Sequence, residues 1–253
     1  MPISSHHNQK LKEIRKLRRR RRWRERSARF VAEGEDLLAA ADQAGWPAVE
    51  RFCAAGSGLP GAEVEADLLA RVSGLASGTR TLAVYEERWA TRPAGPLCVY
   101  LHGVSDPGNV GAVLRSAEAF GASCVAIGPG TADPFSPRAV RASMGAVFTV
   151  ALAHAVSFTE LPGTKIALVA HEGAPLSELS PYPVAERPRL ATVRGEPKPG
   201  GVTLLIGAER DGLPEAIAAR ADHLAHIPIH THSLNAAMAA TVALYEVTRM
   251  ARG

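Results

Sequence analysis

The chain has 253 residues, of which 46% are hydrophobic and 21% charged, and its formal net charge is +4. These values suit one large or two modest soluble domains, and there is no run of about 18 apolar residues to predict a membrane span. The polar, basic N-terminus has no apolar block after it, so we expect no signal peptide. Cys53, Cys98 and Cys124 are scattered without metal-site spacing, and we interpret them as reduced, buried thiols of a cytoplasmic protein.

Positive charge is concentrated near the N-terminus. Residues 10–29 contain 12 Lys or Arg and 2 Glu, whereas the rest of the chain has an excess of acidic residues. Such a run is compatible with a solvated tail or a localisation signal, and also with an arm that binds a polyanion. Trp23 interrupts the arginines, and it either packs against the rest of the protein or stacks on the bound partner. We treat residues 1–28 as a basic arm.

Alternating strands and helices follow the arm. The predicted strands cover residues 29–34, 48–54 and 80–85, and the predicted helices cover 35–44 and 64–72. This alternation predicts a small α/β domain over residues 29–90. The Pro, Gly and charge of residues 88–96 are typical of a linker.

The alternation continues through the second half of the chain. The predicted strands cover residues 97–101, 124–127, 147–153, 165–170, 202–206 and 223–229, and the predicted helices cover 109–120, 137–146 and 234–253. Residues 174–200 are Pro-rich and without pattern, and we interpret them as a surface insertion. We place the N-cap of the last helix at Ser233, whose hydroxyl suits that position.

Three of these strands run into turns that carry an ordered set of small and polar residues. In sequence order the set is Asn109 and Arg115; Gly207, Glu209, Gly212 and Leu213; and Ile227, Pro228, Ser233, Leu234 and Asn235. Over roughly residues 97–253 it resembles the motifs of the SpoU (TrmH-like) family of RNA 2′-O-ribose methyltransferases, in the SPOUT superfamily. Three ordered motifs are far more specific than any one alone.

This resemblance implies an α/β fold whose catalytic domain, residues 97–253, has a parallel sheet and a trefoil knot at its C-terminal end. It implies a homodimer and S-adenosylmethionine as the methyl donor. Backbone groups near Ala170, Gly207, Ile227 and Leu234 are expected to hold that cofactor. The domain over residues 29–90 resembles the RNA-binding domain that precedes the catalytic domain in many SpoU members.

Arg115 is the principal candidate for catalysis. Some accounts of the family make the matching arginine a general base, but a guanidinium keeps its proton to a pH above about 12. We therefore predict that Arg115 binds the target's phosphate and orients the ribose. The other candidate catalytic residues are Asn109, Glu209, Ser233 and Asn235.

Each of these candidates also has a purely structural interpretation. Arg115 is otherwise a surface arginine paired with Glu118 or another acid, and Gly207 an ordinary strand-end turn. Asn109 and Asn235 stand at helix starts, where each can cap its own helix. Glu209 suits a charge-assisted hydrogen bond to Arg115 or to a loop.

RNA contacts are expected from the arm and from the family-like segment RASMGA at residues 141–146. The candidates are Arg18, Arg20, Arg22, Arg24 and Arg141, with Ser143 beside the last. His223, His226, His230 and His232 span a strand and a loop rather than one helical face, so we predict no metal site. Position 210 is Arg where this family often has Gly, which adds positive charge near the expected active site.

The predicted function is methyl transfer to a ribose 2′-hydroxyl in structured RNA. Large-subunit (23S) ribosomal RNA is favoured over tRNA, because many relatives that act on tRNA have short terminal extensions in place of a separate domain. A non-catalytic RNA-binding or ribosome assembly factor is an alternative, although it would not need all five candidate catalytic residues. A small-molecule methyltransferase is a further alternative, which the basic arm disfavours.

Overall fold

The computed structural model describes residues 1–74, 78–155, 157–179, 201–230 and 232–252. They form two compact units. The first consists of residues 1–88 and 133–149, and the second of residues 89–132 and the described chain from Val150 onward. Residues 133–149, which we expected within a continuous 97–253 domain, therefore belong to the first unit.

The strands of the described residues are β1 (Arg29–Glu33), β2 (Glu50–Ala54), β3 (Ala62–Val64), β4 (Thr81–Glu86), β5 (Leu97–Leu101), β6 (Cys124–Ile127), β7 (Ala151–His154), β8 (Thr164–Leu168), β9 (Ala174–Pro175), β10 (Val202–Ile206) and β11 (His223–His226). The α-helices are α1 (Gln9–Arg19), α2 (Arg21–Ser27), α3 (Glu35–Gln43), α4 (Ala66–Val72), α5 (Pro107–Ala119), α6 (Pro137–Ala142), α7 (Glu215–Ala218) and α8 (Ala236–Arg252). No helix in the described ranges combines the length and the apolar character that crossing a membrane requires.

The first unit has a four-stranded sheet in the order β1-β4-β2-β3. β4 pairs antiparallel with β1 and β2, and β3, which the sequence did not predict, pairs parallel with β2. The basic segment is built into this unit rather than free. Leu11, Ile14 and Leu17 on α1 are at most 1% exposed and pack in one cluster with sheet residues such as Val31 and Phe52.

Two arginines of the basic segment are held inside the first unit. Arg24 is 5% exposed, and its guanidinium donates to the Asp133 carboxylate at 2.7 Å and to the Leu17 carbonyl at 2.6 Å. Arg18 pairs with Glu33 at 2.5 Å and also donates to a backbone carbonyl. Burial lowers the pKa of Arg18, while the Glu33 carboxylate acts in the opposite direction. The prediction of Arg24 as an RNA contact is therefore wrong, because its side chain is buried. Arg18 is half-buried and paired with Glu33, so it also serves the fold.

The other predicted contacts on this segment, Arg20 and Arg22, are exposed, as are Arg19 and Arg26. The structure gives these four side chains no hydrogen bond or ion pair within its described ranges. Trp23 packs against the core cluster with the Lys16 ammonium 4.3 Å from its ring centroid, which supports the packing interpretation.

An aromatic cluster explains why residues 133–149 belong to the first unit. The Phe30 ring lies 4.7 Å from that of Phe135 and 5.9 Å from that of Phe148, between centroids. The predicted helix over 137–146 ends at Ala142, because Met144 and Gly145 adopt φ of 52° and 104°. The predicted strand over 147–153 is a 3₁₀ turn at Ala146–Phe148 followed by β7.

The second unit has a seven-stranded sheet in the order β7-β6-β5-β10-β8-β11-β9, and every pair is parallel. The central strands β5 and β10 are buried along their whole length, as expected of a parallel sheet covered on both faces. The predicted parallel α/β architecture is thus confirmed. Cys53, Cys98 and Cys124 are free and buried, also as predicted.

Some predicted boundaries in the second unit shift. β11 ends at His226 rather than Ile229, and α8 begins at Ala236 rather than Leu234. Within the interpreted insertion, residues 174–175 form β9 and residues 176–178 a 3₁₀ turn, and residues 180–200 lie outside the described residues.

The division of the arginines into buried and exposed groups predicts different effects on stability. Arg24→Ala leaves the Asp133 carboxylate, 12% exposed, without its partner, so we expect a loss of about 3–5 kcal/mol in the free energy of unfolding. Arg22→Ala, the matched control, should change it by less than about 0.5 kcal/mol. Urea denaturation at pH 7 measures both. Equal losses would contradict the assignment of Arg24 to the core.

Candidate active site

A cavity of about 490 Å³ lies where strands β8, β10 and β11 end. The carboxyl edge of a parallel sheet is where α/β proteins bind ligands. Ala170 follows β8, Gly207 follows β10, Ile227 follows β11, and Leu234 precedes α8. The structure brings all four of these predicted cofactor-binding residues, together with Ser233, to the wall of this one cavity.

Gly207 begins a closed loop in that wall. Ala208 and Gly212 exchange two backbone hydrogen bonds, each 3.0 Å long, so the chain returns to itself after three residues. A Cβ atom on Gly207 would stand 2.1 Å from the carbonyl carbon of Gly212. Gly207 is therefore required by the approach of the chain to itself, which is a different reason from the expected approach to a ligand.

Three of the predicted catalytic side chains form one hydrogen-bonded chain. The Asn109 Nδ2 group donates to Glu209 Oε1 at 2.6 Å, and the Asn235 Nδ2 group donates to Asn109 Oδ1 at 3.0 Å. These contacts join the start of α5, the loop after β10 and the start of α8. Glu209 therefore holds Asn109, and the alternative in which it holds Arg115 is wrong.

The helix caps explain how the two asparagines are held. Asp106 caps α5 by accepting from the Gly108 amide at 2.6 Å, so Asn109 is not a cap. Asn235 caps α8, because its Oδ1 accepts from the amides of Ala237 and Met238 at 2.9 and 3.3 Å. The predicted N-cap at Ser233 is thus wrong, since Asn235 caps the helix with its oxygen while its nitrogen reaches Asn109.

Arg115 does not join this chain of side chains. Six residues along a helix place it about 120° around the axis and about 9 Å along it from Asn109. Its side chain is exposed, and within the described ranges it makes no hydrogen bond or ion pair, with Glu118 or any other residue. Within one chain, the principal catalytic candidate therefore stands apart from the other four.

Arg141 and Ser143 both belong to the first unit. The Ser143 hydroxyl is buried and donates to the Val140 carbonyl at 2.7 Å, so its role is structural. Arg141 is exposed.

Sequence reasoning named Glu209 and Arg210 near the expected site, but it did not single out the other charged residues of the cavity wall. Beyond Glu209, the wall contains Glu172, Arg210, Asp211 and Glu215. Four carboxylates and one guanidinium make the wall acidic, which suits a ligand with positive charge. The signal was available in the positions of Glu172 and Asp211, a few residues past the ends of β8 and β10.

A tyrosine–histidine pair at the end of β5 was also missed. The Tyr100 hydroxyl lies 2.9 Å from His102 Nδ1, and the His102 amide donates to the Ile206 carbonyl at 2.9 Å. Burial raises the pKa of Tyr100 and lowers that of His102, so both side chains are neutral at pH 7, and the tautomer of His102 decides which of them donates the hydrogen bond. This pair ties the end of β5 to the end of β10.

Comparison with known protein families finds matches along most of the chain. The model of the SpoU rRNA Methylase family matches residues 96–245. The model of the MRM3-like substrate binding domain matches residues 8–88. The second match begins before the predicted boundary at residue 29 and includes both helices of the basic segment.

The individual relatives that match this chain are also named as RNA methyltransferases. An uncharacterized tRNA/rRNA methyltransferase of Mycobacterium tuberculosis is 36% identical over 204 residues, covering 77% of this chain and 68% of the relative. The 23S rRNA (guanosine(2553)-2′-O)-methyltransferase RlmP of Bacillus subtilis is 26% identical, covering 97% of this chain and 98% of the relative. The crystal structure of an AdoMet-bound rRNA methyltransferase from Sinorhizobium meliloti superposes with a TM-score of 0.80 at 28% identity, covering 98% of this chain and 97% of that one.

The contact between Asn109 and Glu209 predicts a pH-dependent effect of one substitution. Asn109→Asp replaces the donating amide with a second carboxylate at 2.6 Å, and the repulsion raises the shared folded-state pKa above the unfolded values of about 4. The deficit of the variant relative to wild type should therefore be smallest below about pH 4 and grow as the pH rises through the raised pKa.

Urea denaturation of wild type, Asn109→Asp and Asn109→Ala at pH 4.5 and 7.5 tests this expectation. The stability deficit of Asn109→Asp should be larger at pH 7.5 by about 1–2 kcal/mol, whereas the deficit of Asn109→Ala should be the same at both pH values. A deficit of Asn109→Asp that does not change with pH would mean that the two side chains are not in contact.

Proposed function

Because the chain belongs to the SpoU rRNA methylase family, we propose that it transfers a methyl group from S-adenosylmethionine to a ribose 2′-hydroxyl of 23S ribosomal RNA. The observation that carries this proposal is that the second and third motifs line one cavity. Asn109 of the first motif is joined to them by its hydrogen bonds with Glu209 and Asn235. A protein that only bound RNA would have no need of such a cavity. The alternatives are a tRNA target and a non-catalytic assembly factor.

The cavity fits S-adenosylmethionine. Its volume of about 490 Å³ lies in the range of small-molecule sites, and its acidic wall suits a sulfonium cation. The groups that would hold the cofactor are the backbone near Ala170, Gly207, Ile227 and Leu234. When bound, the cofactor supplies an electrophilic methyl group, and the protein's own task is to position the ribose.

We assign that positioning to two sets of residues. The Glu209–Asn109–Asn235 chain fixes the loops around the cavity, and Ser233 lies in the same wall. Arg115 binds a phosphate of the RNA through its planar guanidinium and so orients the target ribose. It remains protonated throughout, and the 2′-hydroxyl proton leaves to phosphate, water or a neighbouring group.

RNA is the partner of the first unit in this proposal. The exposed Arg19, Arg20, Arg22, Arg26 and Arg141 supply positive charge for the phosphate backbone. A 23S rRNA target is supported by the Bacillus subtilis relative, which this chain matches along nearly its whole length. The match of residues 8–88 to a substrate binding domain supports the same role. We propose that the protein is located in the cytoplasm.

A homodimer completes the proposed site. Met238, Val242 and Tyr245 on α8 are 62%, 41% and 53% exposed and recur at helical spacing, which forms an apolar stripe. The stripe borders α5, because the Ser116 hydroxyl lies 2.6 Å from that of Thr241 on α8. A second subunit on this stripe would bring Arg115 near the partner's cavity, which accounts for its separation from Asn109. We also propose that the C-terminal end of the catalytic domain forms a trefoil knot.

Arg115 provides the test of the reaction. Wild type should transfer a tritiated methyl group to deproteinised 23S rRNA, with label recovered in a 2′-O-methyl nucleoside. Arg115→Ala should reduce turnover by about 100-fold or more, and Arg115→Lys should not restore it, because an ammonium cannot reproduce the guanidinium fork. Cofactor binding, measured by calorimetry, should be unchanged.

If label is found only in tRNA, the substrate is tRNA and the proposed rRNA target is wrong. Absence of transfer to any RNA would favour the assembly-factor alternative. Turnover of Arg115→Ala within a fewfold of wild type would remove Arg115 from the site.

The apolar stripe predicts the oligomeric state. Light scattering at low micromolar concentration should give about twice the 26.7 kDa chain mass. Met238→Glu should give monomers with little activity, because a charge in an apolar interface loses its hydration. Val49→Glu, at a 38% exposed position in the first unit, is the matched control and should remain dimeric. A fully active wild-type monomer would exclude the shared site.

A further inference from the structure

Arg210 is distinguished by charge among the residues that line the cavity. Every other Asp, Glu, Lys or Arg that the structure gives for the wall is a carboxylate: Glu172, Glu209, Asp211 and Glu215. Arg210 itself is exposed, and it makes no hydrogen bond or ion pair with any residue in the described part of the chain. A guanidinium beside several acids that pairs with none of them is available to an external anion.

The backbone that carries Arg210 is held on two sides. The two hydrogen bonds between Ala208 and Gly212 close the base of the loop. At its tip, the neighbouring Glu209 is fixed by the 2.6 Å bond from Asn109. The side chain of Arg210 therefore extends from a fixed point at the rim, so that little ordering of the loop is needed when it binds a ligand.

We propose that Arg210 binds a phosphate of the RNA backbone beside the ribose that is methylated. This inference rests on the proposed function. The four carboxylates that suit a cationic cofactor also repel a polyanion, and one guanidinium at the rim offsets this repulsion where the RNA must enter. A guanidinium binds phosphate through two parallel hydrogen bonds, and so fixes direction as well as position.

The carboxylate of the cofactor is the competing anion for Arg210. The exposed position of the side chain favours RNA, since a group that holds the cofactor inside the cavity would be shielded by the wall. The two ligands are separated experimentally because each binds in the absence of the other.

The test uses the whole 253-residue chain with Arg210→Gln, which keeps most of the side chain and removes the charge. Arg92→Gln, at an exposed arginine of the second unit, is the matched control. Binding of deproteinised 23S rRNA is measured from 50 to 300 mM KCl without cofactor, and binding of S-adenosylhomocysteine, which has the same carboxylate, is measured by calorimetry without RNA.

We expect Arg210→Gln to weaken RNA binding about five- to tenfold and to reduce the log–log salt slope by about one, while S-adenosylhomocysteine affinity stays within about twofold. The effect on methylation should lie mainly in KM for RNA. Arg92→Gln should change none of these values.

Weaker S-adenosylhomocysteine binding with unchanged RNA binding would overturn the proposal in favour of the cofactor carboxylate. If neither RNA binding nor S-adenosylhomocysteine binding changes, Arg210 contacts neither ligand and the proposal is wrong. Both binding measurements are independent of turnover, so a wild-type protein that binds RNA without methylating it would defeat the proposed reaction and leave the test of Arg210 intact.

Discussion

The organisation of the second unit depends on one amide group. Asn109 donates to Glu209 and accepts from Asn235, and so joins three loops that are far apart in sequence. A side-chain amide can do both at once, since it has a donor nitrogen and an acceptor oxygen at the same end. The parallel sheet brings the loops to one edge, and this group fixes their spacing around the cavity. The position of Arg210 at the rim follows from the same contact.

The basic segment shows that one charge pattern serves two purposes. Arg18 and Arg24 are enclosed with acidic partners and help to hold α1 and α2 in the first unit, whereas Arg20 and Arg22 face solvent. The exposed charge that we propose binds RNA therefore belongs to a folded surface. Removing the whole segment would also remove Leu11 and its buried neighbours on α1, so single neutral substitutions are the appropriate probe of RNA contact.

The local sequence pattern was sufficient to predict the parallel sheet. The apolar runs at 97–101 and 202–206 are too uniformly hydrophobic for strands that face water. The local pattern was insufficient for a side chain whose contact lies far away in the sequence. Arg24 meets an acid 109 residues away, and a run of arginines contains nothing to select that one. Ser233 and Asn235 are both good N-cap types, and the choice between them depended on Asn109, 126 residues away from Asn235. Arg115 lies away from the cavity of its own chain, because six residues do not complete two helical turns.

The aromatic cluster of the first unit has a consequence for how this protein can be divided. Phe135, Phe148 and the Asp133 partner of Arg24 come from a segment that leaves the second unit between β6 and β7 and returns to it. A fragment cut at the linker after residue 88 would lack all three and would expose the ring of Phe30. The segment of residues 1–88 is therefore not a transferable module. A chimera that grafts it onto another catalytic body must carry residues 133–149 as well.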